Sequence, residues 1–191
     1  MWARSVAVLL LSAFPVMAQD TNTWANVGNW TVAIEPNLDN SCYAYAYFNG
    51  DTYLSMGYDR RDNTAYADFS DPDWSSLVDG ETYTLTVQFG NRPEWSGDAL
   101  ASTFTGGDVY LELVVDDQFL NEFAGQNSVR IGFDGREIAH LNLQGSRRAL
   151  NETISCQNKN KAPADADPFK GATTDDPFAG QDAPADDPFA Q

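Results

Sequence analysis

A mainly β fold, antiparallel and built as a sandwich or a partly closed barrel, is predicted by three observations. Between Asn29 and Leu143 the dominant hydrophobic period is two, the mark of half-buried strands. Two-residue turn signals, Asn49-Gly50 and Asp134-Gly135, join neighbouring alternating runs as hairpins do. Only two or three short stretches carry a helical pattern, so hairpin turns outnumber long crossovers and the sheet should be antiparallel.

The elements follow in chain order. Met1–Ala18 has one Arg and no acid, then the apolar run Val6–Phe14, a break at Pro15 and small residues before Gln19. That is the pattern of a secretory signal, and the run is well short of the roughly 20 residues of a membrane span. The mature chain is therefore expected outside the cytoplasm, in the periplasm or beyond, with no membrane span. Trp30, Val32 and Ile34 alternate with polar or small residues as a first strand. Cys42–Phe48 is a second, with Tyr43, Tyr45 and Tyr47 on one face and Cys42, Ala44, Ala46 and Phe48 on the other. Tyr53–Tyr58 and Thr64–Phe69 complete a meander.

Asp71–Leu77 reads as one helical turn, capped by Asp71 with Pro72 at its first position. Glu81–Phe89 is the cleanest alternation in the chain. Asn91–Gly97 is expected to be a loop, Ala99–Phe104 a weaker strand and Val109–Val115 a stronger one. Asp116 can cap a helix in which Phe119, Leu120 and Phe123 share a face, stopped near Gly125. Val129–Phe133 and Ala139–Leu143 form the last hairpin. A helix from Gly145-Ser146 to Cys156, burying Ala149, Leu150, Thr153 and Ile154, closes the domain at about nine strands.

The domain is thus residues 19–157, followed by a tail, 158–191, rich in Asp, Ala, Pro and Gly. Almost without large apolar groups, the tail cannot offset its chain entropy and is expected to be disordered. Asp-Pro-Phe occurs in it three times, at Asp167-Pro168-Phe169, Asp176-Pro177-Phe178 and Asp187-Pro188-Phe189. Such spacing suits an array of short docking motifs with avidity for a multivalent partner, or a solubilising tail grown by duplication. The repeat resembles the Asp-Pro-Phe peptides by which eukaryotic endocytic proteins bind clathrin adaptors, but the predicted signal puts the tail in the wrong compartment for that partner.

Charge and cysteine usage narrow the function. Of the formal −17, the signal carries +1 and the tail −4, which leaves −14 on residues 19–157. A surface so acidic repels nucleic-acid backbones and anionic lipids, and it also serves plain solubility. Cys42 and Cys156, the only cysteines, are expected to pair in an oxidising compartment; two free thiols are the lesser reading. Their spacing excludes a CxxC redox motif and a cysteine zinc site.

Catalytic signals are thin. His140 is the only histidine and lies in a strand, which argues against Ser-His-Asp, Cys-His and histidine-zinc chemistry. There is no Walker loop and no dinucleotide fingerprint. Asp71, Asp73, Asp116 and Asp117 are available for two-acid hydrolysis or calcium, yet each is explained as a cap or turn residue and none has EF-hand spacing. No metal or cofactor is expected. The aromatics Trp74 and Trp95, placed in loops, and the Tyr43, Tyr45, Tyr47 face could stack on sugar if exposed, or else cover sheet ends and fill an interlayer space. Asn29-Trp-Thr31 and Asn151-Glu-Thr153 match the glycosylation acceptor pattern.

The order of the later elements resembles the invasion-associated locus B family of exported bacterial proteins. The matching features are the Trp30-Thr-Val strand, the Phe119-Leu120 helix, the Val129–Phe133 strand and Leu141-x-Leu143-x-Gly145 with Ala149-Leu150, over about half the mature domain. That family often places a cysteine where this chain has Glu35. The resemblance implies a small periplasmic or envelope-associated β-domain and transfers no catalytic residue. The expectation is an exported, non-catalytic β-domain acting on an envelope or extracellular protein, with the tail as a docking segment. A carbohydrate-binding domain is the alternative, and a two-carboxylate hydrolase a further one.

Overall fold

The computed structural model describes residues 22–48, 51–104 and 106–160. Ten strands form one antiparallel sheet: β1 (Thr23–Val27), β2 (Trp30–Glu35), β3 (Ser41–Tyr47), β4 (Tyr53–Asp59), β5 (Thr64–Ser70), β6 (Thr82–Phe89), β7 (Trp95–Thr103), β8 (Val109–Val115), β9 (Ser128–Phe133) and β10 (Arg136–Asn142). Helix α1 (Asp117–Gly125) joins β8 to β9, and α2 (Ser146–Lys159) follows β10. The sheet order is β1-β2-β3-β4-β5-β8-β7-β6-β9-β10, with two free ends, so the barrel is not closed.

The sheet nevertheless wraps around its own core. β2 and β6 are separated by five strands in the sheet order. In a flat sheet they would lie roughly 29 Å apart at the usual spacing of nearly 5 Å per strand. Yet Trp30 of β2 and Phe89 of β6 both meet the ring of Phe123 on α1, at centroid distances of 5.3 and 6.5 Å. Curling makes the two halves of the sheet face each other in sandwich fashion, with the helices between its ends. One contiguous core results, from Trp30 and Val32 through Met56, Phe69, Leu111 and Leu85 to Ile131 and Leu143.

Two fastenings hold the closing helix. Ala149, Leu150, Thr153 and Cys156 recur at helical spacing on the buried stripe of α2. Cys156 is disulfide-bonded to Cys42 on β3, both fully buried, which ties residues 114 apart in sequence. The Trp24 indole N–H donates to Glu152 at 2.8 Å, and that of Trp30 to the Gln144 carbonyl at 3.2 Å. The first two strands are thereby stitched to the segment after β10.

Five expectations are corrected, the first being Ile154, which is 40 % exposed on α2 rather than packed inward, Cys156 taking the buried place instead. Asp71–Leu77 is two successive turns, with Trp74 N–H bonded to Asp71 O and Leu77 N–H to Trp74 O. The Asp71 carboxylate accepts from Asp73 N–H at 2.9 Å and from the Thr52 hydroxyl at 2.5 Å, which holds the segment to the residue just before β4 rather than winding it into a helix. Trp95 is in β7, not in a loop. Gly97 suggests a break, but it sits within the strand, where a Cβ would stand 2.8 Å from Leu113 Cδ1, so the glycine leaves room for that side chain. β1 is an addition to the expected strands, because its short, only partly buried run carries no clean alternation. Finally, α2 extends past Cys156 to Lys159, where Asn160 fastens its end through its side chain to Asn40 O at 2.8 Å. The Asn49-Gly50 turn, the signal segment and the Asp-Pro-Phe repeats lie outside the described residues. Among the described residues no helix is long and apolar enough to cross a membrane.

Candidate functional site: a tyrosine-lined cleft with buried acids

Strand register builds the site. Because side chains alternate, the residues that leave the core face of β3, β4, β5 and β8 stand in rows on the opposite face. One row is Tyr45, Ser55, Asp68 and Glu112, each paired in register with the next. Its neighbours are Tyr43, Gly57 and Tyr66 on one side and Tyr47, Tyr53 and Ser70 on the other. The segment from Asp71 to Leu77 and the β7–β8 connection wall this face off as a cleft of about 900 Å³.

Glycine sets how low the rings can lie. A Cβ on Gly57 would come within 2.5 Å of the Tyr66 hydroxyl and 2.7 Å of Tyr43 Cβ, so the Tyr66 ring can cross β4 only there. The other rings hold one another. Tyr43 and Tyr45 stack at 5.7 Å, Tyr45 and Tyr53 approach at 5.9 Å, and Tyr53 meets Phe104 edge-on at 5.6 Å. Phe104 in turn stacks on Tyr110 at 4.1 Å. Such pairs contribute about 0.5–1.5 kcal/mol each beyond burial, enough to fix ring orientation.

Asp68 is the unusual residue. It lies mid-strand at the floor of the cleft and is only 7 % exposed. Its Oδ2 accepts from the Ser55 hydroxyl at 2.7 Å, while Oδ1 has no hydrogen-bond partner among the described residues. Burial drives its pKa up to about 8; the Ser55 bond opposes this and the Glu112 charge adds to it. The acid is thus held largely neutral at neutral pH. Burial, with the Asp59 charge second, also raises Glu112, and the Arg61 guanidinium works against that rise. Tyr53 and Tyr66 are pushed well above the ordinary phenol range, first by burial and then by Asp68.

The charge lining the cleft is one-sided. Among the described residues, Glu35, Asp51, Asp68, Asp71, Asp108 and Glu112 line it with a single cation, Arg61. Arg61 is already engaged by Asp59, with Nε at 3.0 Å from Oδ1 and NH2 at 2.6 Å from Oδ2, and this contact holds the Asp59 carboxyl below its usual range.

Of the aromatics singled out from the sequence, Tyr43, Tyr45, Tyr47 and Trp74 line this cleft, with Tyr47 64 % exposed. Trp95 does not: its ring packs on Phe119 at 5.6 Å and its N–H donates to Glu122 at 3.1 Å. Asp71 sits at the rim, and Asp116 caps α1 by accepting from Phe119 N–H at 2.8 Å. His140 is exposed on β10, at the far end of the sheet order, 4.0 Å from Glu137. Sequence reasoning searched for acids in caps and turns and so passed over Asp68 and Glu112. The available signal was an acid in the middle of each of two strongly apolar strands, where carboxylates are depleted. Among the described residues no group of three or more His, Cys, Asp or Glu side chains is placed to hold a metal ion.

The fold and the cleft define an antiparallel β-domain whose single sheet wraps around one core and carries a tyrosine-lined cleft on its opposite face. Neither a family model nor a curated protein sequence matches the chain. Among solved structures, invasion associated protein B from Bartonella henselae superposes with a TM-score of 0.51, over 70 % of this chain and 97 % of its own, at 12 % identity. The distant resemblance read from the order of elements therefore stands at the level of fold.

Proposed function

We propose that the protein is an exported, envelope-associated binding domain, non-catalytic, with the tyrosine-lined cleft as its recognition surface and residues 158–191 as a docking segment. The observation that carries this reading is the row Tyr45, Ser55, Asp68, Glu112 under a shell of mutually braced rings, a pre-formed concave surface on the face away from the core. Pre-formed, mostly aromatic clefts with a few convergent polar groups are the usual form of small-ligand sites. Export is supported by the buried Cys42–Cys156 disulfide and by the likeness in fold to an invasion-associated protein.

The test is a capture experiment from envelope extract with three oxidised proteins: residues 19–191, a version ending at Asn160, and Tyr45→Ala in the longer chain. Ending at Asn160 preserves the clasp on Asn40. Loss of capture on truncation supports the docking role of the tail, and loss in Tyr45→Ala supports the cleft. Equal capture by all three contradicts both.

A second reading has one specific observation in its favour. Asp68 and Glu112 are cross-strand partners in a cleft, one carboxyl raised to about 8, as two-acid glycoside hydrolysis requires. It ranks second because Asp68 is sunk beneath the rings, out of easy reach of a leaving-group oxygen. Release of reducing sugar from glycans, lost in both Asp68→Asn and Glu112→Gln, would promote it.

A further inference from the structure

Resting on the reading of the cleft as the recognition surface, we propose that its ligand is a small organic cation, an ammonium compound whose alkyl groups pack on the tyrosine faces above Asp68 and Glu112. Three features of the cleft select this class. Its wall is lined by the aromatic residues Tyr43, Tyr45, Tyr53, Phe104 and Tyr110, held in place by contacts with one another, and aromatic rings attract cations through their quadrupole. Among the described residues five acids besides the neutral Asp68 line it against one guanidinium, which Asp59 already engages, so the field inside draws positive charge and repels anions. At its floor Asp68, 7 % exposed, keeps Oδ1 without a hydrogen-bond partner among the described residues, a buried carboxyl whose ionised form a positive charge above it would favour.

A neutral sugar fits less well. Sugar hydroxyls need amide and guanidinium donors as well as acceptors, and among the described residues Asn37 is the only side-chain amide in the lining. Proton linkage gives the class a signature of its own. Asp68 faces Ser55 and Tyr53 on β4, Tyr66 on its own strand, and Tyr110 and Glu112 on β8, with Tyr43 and the Asp59–Arg61 pair beyond. None of these supplies a free positive charge. A bound cation would, and the Asp68 proton would then leave for solvent.

The probe is choline, titrated calorimetrically into the oxidised mature chain beside its neutral isostere, in which carbon replaces the quaternary nitrogen. Choline is expected to bind about tenfold or more tighter than the isostere, the worth of a partly desolvated cation–π contact. Its binding should weaken with salt and, near neutral pH, release a fraction of a proton, read from buffers of different ionisation enthalpy. Tyr45→Ala and Asp108→Asn should weaken it, while Trp95→Phe, outside the cleft, should not. Asp108 is exposed, so its variant keeps the test valid even if a change at the floor disturbs folding. No choline binding, or equal affinity for choline and isostere, overturns the inference. In that case, a neutral oligosaccharide that binds and is lost in Tyr45→Ala leaves the recognition surface in place and moves the ligand to sugars. If Tyr45→Ala alters the binding of neither, and capture from extract is also unchanged, the recognition surface falls with it.

Discussion

At the scale of single residues, Asp68 carries the clearest consequence. Its folded pKa, about 8, lies above the ordinary 3.8, so between those values the folded chain holds a proton that the unfolded chain has released. Its contribution to stability is therefore complete at the acid end and declines as pH rises through this window, by up to about 1.4 kcal/mol per pH unit. Asp68→Asn removes the titrating group and keeps an acceptor for Ser55. Denaturant midpoints from pH 5 to pH 8 should fall less steeply in Asp68→Asn than in the wild type; parallel curves would show that Asp68 is an ordinary, ionised carboxylate. Gly57 is the second residue with a definite role. Gly57→Ala pushes a methyl into Tyr66 and Tyr43, and is expected to cost about 1–3 kcal/mol while disturbing the near-ultraviolet tyrosine signal. Neither residue stood out in the sequence, because the row that gives them meaning is assembled across four strands.

At the scale of elements, most strands were legible because alternation is written locally. β6, with Leu85, Val87 and Phe89 buried, is the plainest case. Helix α1 was legible through its Asp116 cap and the spacing of Phe119, Leu120 and Phe123. What failed was local in another sense: Gly97 looked like a loop residue though it lies inside β7 under the Leu113 side chain, and Asp71 looked like a helix cap when Thr52 and Asp73 claimed its oxygens. The fastening of α2 also makes a prediction. In chain-entropy accounting, a crosslink over roughly a hundred residues stabilises by about 4–5 kcal/mol. The paired substitution Cys42→Ala with Cys156→Ala should lose about that much in chemical denaturation without new free thiols. A loss well under 1 kcal/mol would mean that Trp24, Trp30 and Asn160 suffice to hold the helix.

At the scale of the whole molecule, the antiparallel β class and the Cys42–Cys156 pairing could be read from the chain, but the wrapping could not. It depends on Trp30 and Phe89 meeting the same ring, Phe123, and no local pattern records that meeting. Phe123→Ala should accordingly cost about 3–5 kcal/mol, more than loss of one strand contact, since it opens the seam between the two halves of the sheet. The cleft is a product of the same wrapping, which puts the core on one face and leaves the tyrosines and acids on the other. The measurement that tests this most directly is amide-resonance mapping of the oxidised domain during titration with a small-molecule fraction of envelope extract. The account predicts perturbations concentrated on Tyr43–Tyr47, Tyr53–Gly57, Tyr66–Ser70 and Tyr110–Glu112, absent in Tyr45→Ala. Perturbations gathered instead on the free edges β1 and β10 would contradict it.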